Sequence, residues 1–189
     1  KGHIGGVILY DETIRQEAKD GTLLRDIISD QGALPGIKVD KGLQPIEDCP
    51  NETVTVGLDG LDERLKEYSS MGAKFTKWRA VINIGNGIPT DRCIDENMQA
   101  LADYAKCAQD NGMVPIVEPE VLMDGEHNID ECYEATERSL KSLFSHLEKA
   151  SVNIKGTLLK PNMVTSGKDA ADQAGVEEVA KKTLDCLIA

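Results

Sequence analysis

The chain has 189 residues and a formal net charge of −12 at neutral pH, which argues against nucleic acid or acidic membrane surfaces as main partners. Apolar residues make up 40% of it, no apolar run approaches membrane-spanning length, and membrane insertion is not expected. The length suits one sizeable core and no composition shift divides it, so a single domain over residues 1–189 is expected.

The five cysteines, at 49, 93, 107, 132 and 186, are scattered and form no C-x-x-C, which fits reduced thiols in a cytoplasmic protein. The three histidines lie far apart, so no local metal motif is present and no metal or cofactor is expected. The chain opens without Met and almost inside an apolar run, with no signal-peptide pattern. That opening reads as a start within a larger protein.

Residues 4–10 form a dense apolar run and read as a strand buried on both faces. A polar connection follows. Leu23, Leu24, Ile27 and Ile28 then repeat at helical spacing over residues 22–30, closed by Gly32. Residues 36–42 give a second strand, and residues 45–57, polar and acidic, read as loop. Asp59 or Asp62 can cap a helix carrying Leu61, Leu65 and Tyr68 and ending at Gly72.

Residues 74–84 read as the third strand. Gly85-Asn86-Gly87 then turns the chain, and it resembles a phosphate-binding glycine loop only superficially, because the full spacing is missing. Thr90 opens a long amphipathic helix that Asn111-Gly112 stops, and residues 113–120 are the fourth strand. Asn128 with Glu131 is a capping box for the next helix. A short strand from Thr157 ends at Lys160, since Pro161 has no N–H for a ladder and holds the preceding residue extended. A last amphipathic helix covers residues 175–188.

About five β-α units at this spacing suit a parallel sheet, either open and doubly wound or part of a (β/α)8 barrel. Charges stand where buried strands should be apolar, in same-face i, i+2 sets: Lys38 with Asp40, Lys77 with Arg79, Glu118 with Glu120. Lys160 ends its own strand. One such pair is an ordinary strand-end ion pair. Four strands in succession point instead to charges converging at the C-terminal ends of the strands, where barrels place their active sites. On the face it shares with Leu158, Lys160 is expected to be partly desolvated; with repulsion from Lys77, this favours the neutral amine that can attack a carbonyl.

Gly-Thr-Leu-Leu-Lys-Pro-Asn-Met-Val-Thr, residues 156–165, closely resembles the active-site signature of class I fructose-bisphosphate aldolases. Ile37-Lys38-Val39-Asp40-Lys41-Gly42, Gly57-Leu58-Asp59-Gly60-Leu61, Lys77-Trp78-Arg79 and Ile116-Val117-Glu118-Pro119-Glu120 extend the resemblance in the family's order. It implies an α/β fold, a partial (β/α)8 TIM barrel of about five consecutive units.

The resemblance also implies roles. Lys160 is then the Schiff-base lysine, Glu118 the acid/base of imine formation and hydrolysis, and Lys77 the neighbouring cation that tunes the site. Lys38 and Arg79 bind substrate oxygens and phosphate, and Glu120 positions those cations. The implied reaction is reversible, metal-free cleavage of fructose 1,6-bisphosphate to dihydroxyacetone phosphate and glyceraldehyde 3-phosphate. A cytoplasmic homotetramer with possible cytoskeletal and proton-pump partners follows by the same analogy.

The family's strand-one aspartate would precede residue 1, and its later phosphate-binding residues and mobile tail would follow residue 189. An incomplete site, inactive alone, is therefore expected. The alternatives are another lysine-imine barrel such as transaldolase, whose resemblance is weaker at Lys-Trp-Arg and Glu-Pro-Glu, or a non-catalytic binding scaffold.

Overall fold

A computed structural model describes residues 2–189. The chain runs β1 (Gly6–Leu9), α1 (Asp11–Arg15), α2 (Leu24–Asp30), β2 (Leu34–Lys38), β3 (Leu43–Pro45), β4 (Thr53–Thr55), α3 (Leu61–Ser70) and β5 (Phe75–Ile82). It continues through α4 (Asp91–Asp110), β6 (Val114–Val121), α5 (Ile129–Lys149), a short 3-10 turn (Ile154–Gly156), β7 (Leu158–Leu159) and α6 (Val176–Ile188). Five strands pair in parallel in the order β1-β2-β5-β6-β7. Parallel neighbours need a crossover, and helices supply it here, giving a five-stranded arc of a (β/α)8 barrel.

Local chemistry explains the helix ends. Thr90 caps α4 by accepting from Cys93 N at 3.1 Å. Asn128 and Glu131 make the full capping box of α5, with Asn128 Oδ1 accepting from Asp130 N and Glu131 N, and Glu131 accepting from Asn128 N. The start of α3 differs from the sequence expectation: its N-cap is Gly60, at φ 62°, and neither Asp59 nor Asp62 caps it. Asp62 instead lies in the first turn, where its charge suits the helix dipole.

Alternation then sorts the strands. Thr76, Trp78, Ala80 and Ile82 of β5 face the helices and are fully buried, together with Ile37 and Val117 from the neighbouring strands. Trp78 stacks on Tyr104 of α4, ring centroids 5.4 Å apart. The Tyr104 hydroxyl donates to Ile116 O at 3.2 Å and accepts from Thr76 Oγ1 at 2.7 Å, so its polar end is satisfied inside the core. Burial pushes that phenol well above its usual range.

Four expectations need correction. β1 is an edge strand, not one buried on both faces: Ile4, Ile8 and Tyr10 are exposed, because nothing among the described residues covers its concave side. The polar connection after β1 contains a helical turn, α1, pinned by Arg15 to Asp11 and Glu67. Residues 45–57, expected as loop, include β4 and the last residue of β3, which pair as an antiparallel hairpin. Its partners are distant in sequence: Asn97 Oδ1 accepts from Thr55 N at 3.2 Å, and Thr55 Oγ1 donates to Arg79 O at 2.8 Å. Last, β7 is only two residues long, although Lys160 N still donates to Val117 O at 2.9 Å.

Candidate active site

The other residues of each strand face the concave side, and they change character from one end to the other. At the N-terminal end Gly6, Leu34, Phe75, Val114 and Leu158 form an apolar floor. Above it, toward the C-terminal ends, stand Lys38, Lys77, Arg79, Glu118, Glu120 and Lys160. Strand register brings them side by side: Lys38 lies opposite Lys77, and Arg79 opposite Glu118.

Glu118 is the hub. Its Oε1 accepts from Lys160 Nζ, and its Oε2 makes a close ion pair with Lys77 Nζ that lacks directed hydrogen-bond geometry. The Glu118 side chain is 5% exposed and that of Lys77 12%. Burial alone raises the Glu118 carboxyl, but Lys160 and Lys77 together outweigh it and hold the group below the usual carboxylate range. Glu118 is therefore an anion at neutral pH, held between Lys160 and Lys77.

A second tier surrounds this hub. Arg79 Nε and Nη2 both converge on Glu120 Oε2. Lys38 pairs with Asp40, whose carboxylate also accepts from Arg79 N at 3.4 Å. Asp40, noted in the sequence only as a partner of Lys38, thus ties the end of β2 to β5. The six candidate residues, drawn from four strands, are brought together.

One expectation fails here. Lys160 was expected to be desolvated beside Leu158, yet the Lys160 side chain is 55% exposed and Leu158 is 54% exposed. The concave face has no cover at this edge among the described residues, so the shared face does not make a dry pocket. The neighbour Lys160 meets is the Glu118 carboxylate, whose other oxygen pairs with Lys77.

The loops after β6 and β7 are clasped together above the site. Gly167 N donates to His127 O at 2.8 Å, Lys168 N to Met123 O at 2.7 Å, and Asp169 N to Gly125 O at 3.0 Å. Lys168 adds an ion pair with Asp124. A Cβ at residue 167 would run into the Gly125 carbonyl, so only glycine permits this approach. Among the described residues no group of His, Cys, Asp and Glu is arranged to hold a metal ion, and the five cysteines are free thiols.

The family model for fructose-bisphosphate aldolase class-I matches residues 1–189. A probable class 1 fructose-bisphosphate aldolase of Xanthomonas campestris is 56% identical over 98% of the chain and 55% of its own length. The cytosolic fructose-bisphosphate aldolase 4 of Arabidopsis thaliana is 48% identical over 98% of the chain and 47% of its own length. The fructose-bisphosphate aldolase of Plasmodium falciparum, solved in complex with TRAP and a small-molecule inhibitor, superposes with a TM-score of 0.96. It is 43% identical, over 98% of this chain and 54% of that one. The chain thus spans about half the length of the relatives it matches.

Proposed function

The chain belongs to the class-I fructose-bisphosphate aldolase family, and from that premise we propose that it carries the imine-forming centre of an enzyme that reversibly cleaves fructose 1,6-bisphosphate. The observation that carries the reading is the contact of the Lys160 amine with a buried, ionised Glu118. Lys160 attacks the ketose carbonyl, and the carbinolamine loses water to become a protonated imine. Glu118 receives the proton that leaves the nitrogen and returns it to the departing hydroxyl. A carboxylate base takes the C4 hydroxyl proton, the C3–C4 electron pair flows into the imine, and glyceraldehyde 3-phosphate departs with its new carbonyl. Reprotonation of the enamine and hydrolysis release dihydroxyacetone phosphate and restore the amine.

Lys77, held on the opposite oxygen of Glu118, keeps that carboxylate in place and offers a cation to substrate oxygens. Arg79, still 40% exposed, presents a guanidinium whose fork matches phosphate, and Glu120 orients it. Lys38 adds a second cation on the neighbouring strand. The iminium is the electron sink, and this chemistry calls for no metal. A cytoplasmic location is supported by relatives named cytosolic. The homotetramer and the cytoskeletal and proton-pump partners rest on the family resemblance alone.

Borohydride trapping tests the reading. In the intact polypeptide, reduction in the presence of dihydroxyacetone phosphate should label Lys160, located by peptide mass mapping, and Lys160→Arg should abolish it because guanidinium stays protonated. Label at Lys38 or Lys77 would overturn the assignment. A protein that forms no substrate-dependent imine would be a scaffold.

A further inference from the structure

The junction between β6 and β7 is short of backbone donors where the chemistry is placed. Pro119 lies between Glu118 and Glu120, and Pro161 follows Lys160. Neither has an N–H to give. The parallel register, Ile116 with Leu158 and Val117 with Leu159, continues to set Lys160 beside Glu118. Lys160 N donates to Val117 O at 2.9 Å, but the next donor due to the Lys160 carbonyl is residue 119, a proline. One rung past that gap, Val121 N points toward β7, and the partner due to it is the carbonyl of residue 162.

A side chain takes that place. Asn162 Oδ1 accepts from Val121 N at 3.2 Å, while Asn162 Nδ2 donates to Thr136 Oγ1 of α5 at 3.1 Å and to Met163 O at 3.1 Å. Thr136 is buried, so the amide reaches through the sheet edge to a fixed point on the helix behind it. The geometry points to Asn162 as a positioning residue for Lys160: its side chain supplies a β6–β7 link one rung past the bond that Pro119 removes, and so holds the Lys160 amine against Glu118. This rests on the assignment of Lys160 as the imine-forming amine.

The need for such a staple follows from the surroundings. β7 has two residues, and the Lys160 side chain is more than half exposed, so packing contributes little to where its amine sits. A backbone shift of about 1 Å at the strand end would part Lys160 from Glu118, and a misplacement of that size costs about 100-fold in rate.

The test compares variants of the intact polypeptide by rapid-quench borohydride trapping with dihydroxyacetone phosphate, alongside KM and melting temperature. Asn162→Ala should slow imine formation at Lys160 by about 30- to 100-fold while KM moves less than about three-fold. Asn162→Asp keeps an acceptor for Val121 N, and its second oxygen can take the Thr136 hydroxyl proton. It should therefore form imine within about five-fold of the parent. Thr136→Val, which removes the anchor on α5 at nearly constant volume, should be slowed between those two.

Parental rates in Asn162→Ala would overturn the proposal, as would equal slowing in the Ala and Asp variants. If Asn162→Ala does not fold, the other two variants decide: a slow Thr136→Val beside a near-parental Asn162→Asp supports the staple, and any other pairing overturns it. Absence of label at Lys160 in the parent would instead defeat the imine reading itself, so the two failures are distinguishable.

Discussion

The helix-covered face of the sheet and its concave face are built from alternate residues of the same strands, yet they follow opposite rules. On the covered face, burial tracks apolarity: Trp78, Ile37, Ile82 and Val117 are sealed on the helix side of the sheet. On the concave face the order reverses. Ile8, Leu34, Val114 and Leu158 are exposed, while the charged Glu118 is buried and Lys77 is largely so. A buried charge needs a partner, and each of these two finds the other. The lesson is that one face holds the strands in position, and the other uses that position to press charges together at the strands' ends.

Three measurements would break or sharpen this contrast. The largest effect is expected from Trp78→Ala, which should cost about 3–5 kcal/mol by urea denaturation of the intact polypeptide, as for other buried aromatic truncations. Leu158→Ala on the open face should cost less than about 1 kcal/mol, since little of its area leaves water. Equal losses would erase the distinction between the faces. Next, Arg79→Ala should raise KM for phosphorylated ketoses about ten-fold or more and hardly touch unphosphorylated ones, the loss expected when a charge-assisted hydrogen bond goes. Equal effects on both substrates would remove Arg79 as a phosphate ligand.

The smallest effect is on acid stability. The Glu118 carboxyl is held below its ordinary value of 4.5, so the unfolded chain takes up a proton there before the folded one. Its contribution is complete above that pH and is lost as pH falls through the lowered folded value. Glu118→Gln should start from a lower stability, because it leaves the Lys77 ammonium unpaired, and should lose less on acidification. Denaturant midpoints measured from pH 6 down to pH 3 check this. Parallel curves for parent and variant would mean that Glu118 is not the anion described.

Much of this was legible in the sequence because period and punctuation agreed. Thr90, the Asn128–Glu131 pair and Asn111-Gly112 marked helix ends that the structure places within a residue or two. The hairpin of β3 and β4 was not legible. Its strands have three residues each, Pro45 and Pro50 interrupt the run, and its anchors Asn97 and Arg79 are distant in sequence. The charged residues of the site stood out by their i, i+2 spacing on strands. Their pairing did not: local spacing cannot say that Glu118 bridges two lysines while Glu120 takes the arginine, since that depends on strand order and register. Asn162 and Thr136 carried no signal of their own. An asparagine after a Lys-Pro turn reads as loop until the missing rungs around it are counted.

The apolar floor has one feature whose consequence reaches beyond packing. The Phe75 ring lies across Gly6 of β1 and Gly36 of β2, and a Cβ at residue 6 would come within 2.6 Å of the ring, while one at residue 36 would sink into it. Three positions on three adjacent strands therefore share one allotment of space, nearly all of it given to β5. Size at any of them is not an independent variable. Gly36→Ala alone must drive the ring from its seat, and a smaller residue at 75 alone must leave a hollow beneath two bare stretches of backbone. Made together, the two changes can cancel. A substitution ruinous in this background can thus be harmless in another, and tolerance at residue 36 is a property of the pair.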